Sequence, residues 1–195
     1  YIQNYEYTRI AIEMALGRGG DQVVIKNGNN ITYYGGKTQQ MEKNTRVKAR
    51  VKAQALKEFM STKDRVVVMG HKITDVDALG AAIGIFRAGK TLGKSVSFVV
   101  NDPSKSIRPL IAGYVNNPDY EPSMFVDSEE AIDMVDNNTV VVVVDTNRPS
   151  YTECEELLHM TKTIVVLDHH RRGSEVIENA VLSVVEPYAS SAGER

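Results

Sequence analysis

The sequence has little of what marks a secreted, membrane-spanning or nucleic-acid-coating protein. Its single cysteine, Cys154, cannot form an internal disulfide, which favours a reducing compartment. The longest uninterrupted apolar run, residues 140–144, has the length of a β-strand and falls short of the roughly 18–20 residues that span a bilayer. Lysine and arginine number 23 against 25 aspartates and glutamates. The resulting net charge of −2 excludes a strongly basic nucleic-acid coat but allows a local phosphate site.

The length and composition of the chain are those of one ordinary folded domain, or of one domain plus a fragment. It contains 195 residues, of which 42% are hydrophobic and 25% charged. It begins with Tyr1 rather than methionine, and its N-terminus shows no basic-then-apolar signal pattern. We therefore expect it to be a segment of a longer protein.

The N-terminal block predicts a helix and a hairpin. Residues 5–16 have an amphipathic pattern that the glycine-rich residues 17–20 end. Residues 22–26 and 31–34 predict two strands joined by the turn-forming sequence Asn27-Gly28-Asn29-Asn30. One helix and one hairpin cannot bury a core of their own, so this block is the end of a larger structure or packs on the rest of the chain.

A basic helix is predicted next, over residues 42–60. Apolar residues recur every four positions at Val47, Val51, Ala55 and Phe59, and lysines and arginines fill the rest. A nucleic-acid or membrane-surface helix is one interpretation. A connecting helix with a solvated basic face is favoured over it, because no aromatic residue is interleaved with the charges.

From residue 65 onward, short apolar strands alternate with helices, which predicts an α/β fold. The predicted strands are residues 65–69, 96–100, 139–144, 163–167 and 179–185. Helical patterns fall between them, and the continuous β-branched run at 139–144 indicates burial on both faces. We expect a parallel sheet of about five strands flanked by helices on both faces.

Three of these strands are followed at once by acids and histidines. These are His71, Asp75 and Asp77 after the first strand, Asp145 after the third, and Asp168, His169 and His170 after the fourth. Ligands collect at the carboxyl ends of parallel strands, so we expect these side chains to share one edge. Imidazole and carboxylate together suit manganese, iron or zinc, and the donors suffice for two adjacent ions, a recurring arrangement in phosphoryl transfer.

Simpler interpretations exist for each residue alone. A lone Asp after a strand is more often a helix cap or turn former, and a lone His is more often a satisfied polar residue. For the combination of all seven residues, metal binding is favoured. His159 and Cys154 are interpreted as an exposed helix residue and a small packing residue.

The pattern His71-x-x-x-Asp75-x-Asp77, then Asp145, then Asp168-His169-His170 resembles the first three motifs of the DHH phosphoesterase superfamily. That superfamily includes RecJ nucleases, family II inorganic pyrophosphatases, nano-RNA phosphatases and cyclic-dinucleotide phosphodiesterases. The resemblance covers residues 66–170 and implies two Mn²⁺ ions as cofactors.

The resemblance also implies a role for each of these side chains. His71, Asp75 and Asp145 would hold one manganese ion, and Asp77, Asp145 and His169 the second, with Asp145 bridging. His170 would face the substrate phosphate, and Asp168 would orient the histidines. A metal-bridging hydroxide would attack phosphorus in line and expel the 3′ oxygen.

The N-terminal part narrows the resemblance to one branch of the superfamily. Residues 15–22, residues 34–37 and the basic helix resemble the junction of the GdpP (YybT-type) family, in which a degenerate GGDEF domain runs into the DHH domain. Those proteins are membrane-anchored bacterial phosphodiesterases that linearise cyclic di-AMP to 5′-pApA. The resemblance implies a GGDEF remnant at 1–41, a linker helix at 42–62 and a DHH domain at 63–195.

This assignment carries expectations about location and partners. The parent protein would lie on the cytoplasmic side of the bacterial cell membrane, attached only through N-terminal segments missing here, while this segment would be soluble. Its partner would be the cyclic dinucleotide substrate and not DNA, with a homodimer formed through the missing domains.

Two departures from the family pattern concern the C-terminal side. The family's second metal takes one more Asp downstream of the DHH motif, and the chain ends at Arg195 before that position. The DHH-associated domain is also absent, so we expect weak or no turnover from this segment alone. Two alternatives remain open: a related DHH enzyme acting on short oligonucleotides, linear dinucleotides or pyrophosphate, and a non-catalytic ligand-sensing module.

Overall fold

The computed structural model describes residues 2–16, 22–28, 30–35, 41–187 and 189–193, without the side chains of 2, 22, 35 and 41–48. The chain divides into two compact units, residues 1–50 and 51–195, which are described separately. Within the described ranges, no helix combines the length and the apolar character that crossing a membrane requires.

The first unit contains the predicted helix and hairpin. Helix α1 (Ile2–Leu16) contacts strand β1 (Gln22–Asn27), which pairs antiparallel with β2 (Asn30–Gly35). Gly28 adopts φ 59° in the turn, a left-handed conformation that glycine takes without steric cost. The predicted glycine-rich helix stop at 17–20 and Asn29 of the predicted turn lie outside the described residues.

The remaining elements alternate helices and strands along the chain. In order they are α2 (Met41–Ser61), β3 (Arg65–Met69), α3 (Val76–Thr91), β4 (Ser95–Val99), α4 (Arg108–Val115), β5 (Phe125–Val126), α5 (Ser128–Met134), β6 (Thr139–Val144), α6 (Leu157–Met160), β7 (Ile164–Asp168) and β8 (Leu182–Val185). Strands β3 to β8 form one sheet in the order β5-β4-β3-β6-β7-β8, and every pairing is parallel. The predicted α/β fold with a parallel sheet is confirmed, with six strands rather than about five.

The additional strand is β5, which the sequence pattern did not indicate. It has two residues and pairs only with β4 at the edge of the sheet. Two residues are too few to show the alternation of apolar and polar residues that indicates a strand. This segment is a strand because it pairs with β4, and its own residues do not predict it.

The two faces of the sheet bury two separate apolar clusters. Val66 and Val68 of β3 pack with Leu79 and Phe86 of α3, whereas Val67 and Met69 lie with residues of α5 and α6 on the other face. Strand β6 lies inside the sheet and all six of its residues are buried, as its β-branched run predicts. Successive side chains of one strand therefore pack against helices on opposite faces of the sheet.

The basic helix α2 carries at least one ion pair. Nζ of Lys52 lies 2.6 Å from Oε1 of Glu186, just after β8, and both side chains are partly buried. This pair attaches a lysine of the predicted basic face to the sheet domain. The side chains of Lys43, Arg46 and Lys48 in the same helix lie outside the described set.

Gly89 lies where α3 packs tightly against β4, and it provides a test of the packing. A Cβ added there would lie 2.5 Å from Cγ2 of Val96 in β4. Gly89→Ala should lower the free energy of unfolding by about 1–3 kcal/mol, because a well-packed core accommodates an added methyl only by moving backbone or side chains. Urea denaturation measures this change.

Gly84 is the matched control on the same helix, since a Cβ added at that position meets no atom within 4 Å. Gly84→Ala should leave stability unchanged or raise it by about 0.5–1 kcal/mol through helix propensity. Equal effects of the two substitutions would contradict the close packing of α3 on β4.

Candidate metal centre

The first part of the site is the loop between β3 and α3, which carries His71 and Asp75. Oδ1 of Asp75 caps α3 by accepting hydrogen bonds from Asp77 N at 2.9 Å and Ala78 N at 3.1 Å. Its other oxygen, Oδ2, lies 3.8 Å from Nε2 of His71. The Asp75 carboxylate therefore has two roles: Oδ1 caps helix α3, and Oδ2 belongs to the acid–histidine cluster.

Asp145 lies at the centre of the site, immediately after β6. The residue is 3% exposed and adopts φ 60°, a left-handed conformation that aspartate tolerates better than most residues. Its Oδ2 lies 3.5 Å from Nε2 of His71, and its Oδ1 lies 3.2 Å from Nε2 of His169. The two oxygens of one buried carboxylate thus face two histidines from different loops.

The third part of the site follows β7. Oδ1 of the buried Asp168 accepts hydrogen bonds from the backbone N of His169 at 2.9 Å, from the backbone N of His170 at 3.1 Å and from Nδ1 of His170 at 2.8 Å. Nδ1 of His169 lies 3.1 Å from the carbonyl oxygen of Ala189. Because a carbonyl oxygen only accepts hydrogen bonds, His169 carries its hydrogen on Nδ1. In the neutral ring, Nε2 is therefore unprotonated and presents a lone pair.

That lone pair points at acceptors. Nε2 of His169 lies 3.2 Å from Oδ1 of Asp145 and 3.3 Å from Oδ2 of Asp77. Oδ1 of Asp145 is buried and, among the described residues, makes no hydrogen bond that satisfies the usual geometry. A lone pair and two carboxylate oxygens that converge without a shared proton repel one another, and a cation relieves that repulsion. The residues present therefore fit a divalent metal.

Two groups of donors share Asp145. His71, Asp75 and Asp145 form one, and Asp145, His169 and His170 form the other, with the ligand atoms of each group within 4.8 Å of one another. Asp77 lies beside the second group through its contact with His169, and both of its oxygens accept from Ala192 N at 3.1 Å. The structure thus brings together all seven residues that the sequence singled out, and their assignment to particular ions stays a prediction.

The electrostatics at His71 agree with a cation site. The hydrogen bond to Asp145 raises the pKa of the His71 imidazole above its ordinary value, against the lowering effect of burial. The charges of Asp75, Asp145 and Glu153 add to the increase. The same negative charges that favour an imidazolium favour a metal ion beside the neutral ring.

The site lies in a cleft of ≈690 Å³ that contains residues sequence reasoning missed. These are Thr146, Arg148, Tyr151 and Arg171, which line the cleft together with Asn147. The guanidinium of Arg148 lies over the ring of Tyr151, 5.1 Å from its centroid. Two arginines at the rim provide positive charge suited to phosphate. In the sequence, only their positions shortly after Asp145 and His170 indicated that these arginines lie at the site. Arginine is so common on protein surfaces that this spacing does not identify a binding residue.

A buried carboxylate behind the His71 loop was also missed. Oε1 of Glu153 accepts from Asn101 N and Asn101 Nδ2, both at 2.9 Å, and Oε2 lies 3.4 Å from Oγ1 of Thr74. The segment that bears Glu153 runs beside the His71 loop, where Lys72 N donates to Tyr151 O at 2.9 Å. Glu153 therefore links the loops that follow β3, β4 and β6.

Removing that carboxylate should loosen the His71 loop. Glu153→Ala should lower the free energy of unfolding by about 1–3 kcal/mol, because the backbone and side-chain N–H groups of Asn101 lose the carboxylate that accepts from both. Urea denaturation measures the loss, and Glu155→Ala, at an exposed position two residues away, is the control. Equal stability of the two variants would contradict a supporting role for Glu153.

Comparison with known proteins agrees with this geometry. Residues 65–194 match the model of the DHH family, N-terminal domain. The chain is 45% identical over 188 residues to the cyclic-di-AMP phosphodiesterase GdpP of Bacillus subtilis (strain 168), covering 94% of this chain and 28% of that protein. It is 40% identical over 197 residues to the cyclic-di-AMP phosphodiesterase PdeA of Listeria monocytogenes serotype 1/2a (strain 10403S), covering 99% of this chain and 30% of that protein.

A solved structure shares the fold. An exopolyphosphatase-related protein from Bacteroides fragilis superposes with a TM-score of 0.56 at 16% identity, over 73% of this chain and 41% of that one. At this identity the likeness concerns the fold alone. The chain spans less than a third of the length of the curated relatives from Bacillus subtilis and Listeria monocytogenes.

Proposed function

The chain belongs to the DHH family, and on that basis we propose that it is the catalytic DHH half of a manganese-dependent phosphodiesterase that hydrolyses cyclic di-AMP to 5′-pApA. The observation that carries the proposal is the buried carboxylate of Asp145, whose two oxygens face His71 and His169. The names of the relatives from Bacillus subtilis and Listeria monocytogenes support the choice of substrate.

The proposed ion ligands fall into two sets that meet at Asp145. His71, Asp75 and Asp145 would hold one ion, and Asp77, Asp145 and His169 the other. When bound, a pair of divalent ions neutralises charge on a phosphate and makes a water more acidic. Mixed imidazole and carboxylate donors favour manganese over magnesium, which prefers oxygen alone.

His170 and Asp168 have a different role in this proposal. Asp168 accepts a hydrogen bond from Nδ1 of His170, which leaves Nε2 as the ring nitrogen for the cleft, where a ring protonated at both nitrogens would donate to a phosphate oxygen. The His170 side chain is 58% exposed and lines the cleft. Arg148 and Arg171 at the same cleft would attract and orient the phosphates of a dinucleotide.

The rest of the proposal concerns the whole protein. Residues 1–41 would be the end of a degenerate GGDEF domain, residues 42–62 a linker helix and residues 63–195 the DHH domain. Membrane attachment at the cytoplasmic face and a homodimer would both depend on segments outside this chain. A downstream Asp and a DHH-associated domain would complete the second ion site and the wall that binds adenine.

A substrate panel tests the proposed activity. The full-length protein that contains this chain, supplied with Mn²⁺, should convert cyclic di-AMP to 5′-pApA faster than it cleaves linear dinucleotides, short oligonucleotides or pyrophosphate. The 195-residue chain alone should show weak or no turnover, because in this proposal the second ion site and the adenine wall need the downstream Asp and the DHH-associated domain. Chromatography of the products measures both rates.

Metal exchange supplies the control for this panel. EDTA should abolish turnover, and Mg²⁺ should restore less activity than Mn²⁺. Preferential cleavage of pyrophosphate or oligonucleotides would contradict the assigned substrate. Failure of the full-length protein to bind Mn²⁺ would favour the non-catalytic alternative.

A further inference from the structure

Asn147 lies in the wall of the cleft, two residues after Asp145, and neither proposed ion needs it. The residue is 4% exposed. Its Nδ2 donates a hydrogen bond to Oδ2 of the buried Asp168, and its backbone oxygen accepts one from Ile177 N at 2.9 Å. The opposite amide orientation would set two acceptor oxygens against each other, so the donor is the atom that faces the carboxylate.

Asp168 connects Asn147 to His170. Its Oδ1 accepts from the backbone N of His169, from the backbone N of His170 and from Nδ1 of His170. Its Oδ2 accepts from Asn147. Four hydrogen bonds fix the plane of this carboxylate, and His170 must carry a hydrogen on Nδ1 because a carboxylate only accepts.

Asn147 occupies this position at a cost to the fold. Its Oδ1 is buried and has no hydrogen-bond partner within the part of the chain that the structure describes. An unsatisfied buried amide oxygen destabilises the folded state, so an apolar residue would serve better if the position only needed to be filled. What the asparagine supplies in return is the donor to Asp168.

We propose that Asn147 is a positioning residue that, through Asp168, keeps the hydrogen of His170 on Nδ1 and leaves Nε2 for the cleft. Without this donor, Oδ2 of Asp168 loses one of the four hydrogen bonds that fix the carboxylate plane, its hold on Nδ1 of His170 weakens, and the neutral ring samples both tautomers. The expected effect on turnover rests on the proposed function, whereas the tautomer of His170 does not depend on it.

Side-chain ¹⁵N NMR of the metal-free 195-residue chain, labelled on histidine, reads the tautomer directly. In the wild type the neutral ring of His170 should be protonated at Nδ1 alone. Asn147→Asp keeps the shape but removes the donor, and Asn147→Ala removes the whole amide. In both variants the two ring-nitrogen shifts of His170 should move toward those of a tautomer mixture, while the exposed His159 stays unchanged.

The same variants in the full-length protein should lower kcat about 10- to 100-fold, the range typical of residues that support metal-site and active-site side chains, with KM near the wild-type value. Asn179→Ala is the control, because it removes an amide donor to Leu158 O at 2.9 Å, and Asn179 does not line the cleft. It should leave both kcat and the His170 signals at wild-type values.

Two outcomes would overturn the proposal. One is an identical His170 tautomer in the wild type and in both Asn147 variants. The other is a loss of kcat that Asn179→Ala reproduces. A wild-type protein inactive on cyclic di-AMP would instead count against the proposed function, and the NMR comparison would still decide the role of Asn147.

Discussion

Asp145→Ala should abolish binding of both Mn²⁺ ions. The rate of cyclic di-AMP hydrolysis should fall by more than ~10- to 100-fold, which is the effect of losing a residue that only supports a metal ligand. The reason is that Asp145 belongs to both donor groups, so its removal takes one ligand from each. Its oxygens lie 3.5 Å from Nε2 of His71 and 3.2 Å from Nε2 of His169, and no other described carboxylate has an oxygen within 4 Å of a ring nitrogen of both histidines. Calorimetric titration of Mn²⁺ into the metal-free protein measures both sites together.

Asp145→Asn removes the negative charge at this position but keeps a residue type that tolerates its left-handed backbone conformation. Asparagine keeps the shape and tolerates φ 60°, whereas alanine in the left-handed region costs about 1–2 kcal/mol. We therefore expect the alanine variant to be less stable than the asparagine variant by about that amount in metal-free urea denaturation. Both variants should nevertheless lose metal binding, because neither carries the negative charge that Asp145 contributes to both donor groups.

The metal-free asparagine variant should be at least as stable as the wild type. The buried Asp145 carboxylate lies close to other acids and leaves Oδ1 without a hydrogen bond among the described residues, so neutralising it removes a repulsive charge. A site kept for function is often a source of instability in the unliganded fold. Unchanged Mn²⁺ stoichiometry in either Asp145 variant would contradict the proposal that Asp145 contributes to both ion sites.

The sequence predicted the edge at which the site forms because strands and their ends leave local signals. The run at 139–144 indicated a strand buried on both faces, and β6 is such a strand inside the sheet. Once the strands are parallel, their carboxyl ends must meet, so Asp145 and the two flanking histidine-bearing loops were expected together.

What the sequence did not reveal are the contacts between residues far apart in the chain. Ala189 O at Nδ1 of His169 and Ala192 N at Asp77 come from the segment after β8, which has no recognisable motif. The Asn147 donor to Asp168 and the Glu153 acceptor behind the His71 loop are likewise long-range. Residue type and spacing identify which side chains can bind a metal, whereas the groups that orient them are fixed only by the tertiary fold.

His169→Ala should remove one Mn²⁺ ion and leave the other. Its Nε2 faces Asp145 and Asp77, while the group formed by His71, Asp75 and Asp145 contains no atom of His169. Turnover in the full-length protein should fall to background, because a single ion cannot neutralise the phosphate and acidify the water together. Calorimetry should show about half the wild-type stoichiometry.

The fold should survive this substitution. His169 lies at the rim of the sheet rather than in either apolar cluster, so the free energy of unfolding should change by less than about 1 kcal/mol. His159→Ala, at an exposed position of α6, is the control and should leave both ions and the activity in place. His71→Ala is the mirror variant, which should lose the opposite ion. The assignment predicts that His169 and His71 bind different ions. It would be wrong if His169→Ala and His71→Ala each retained the same single ion with the same affinity.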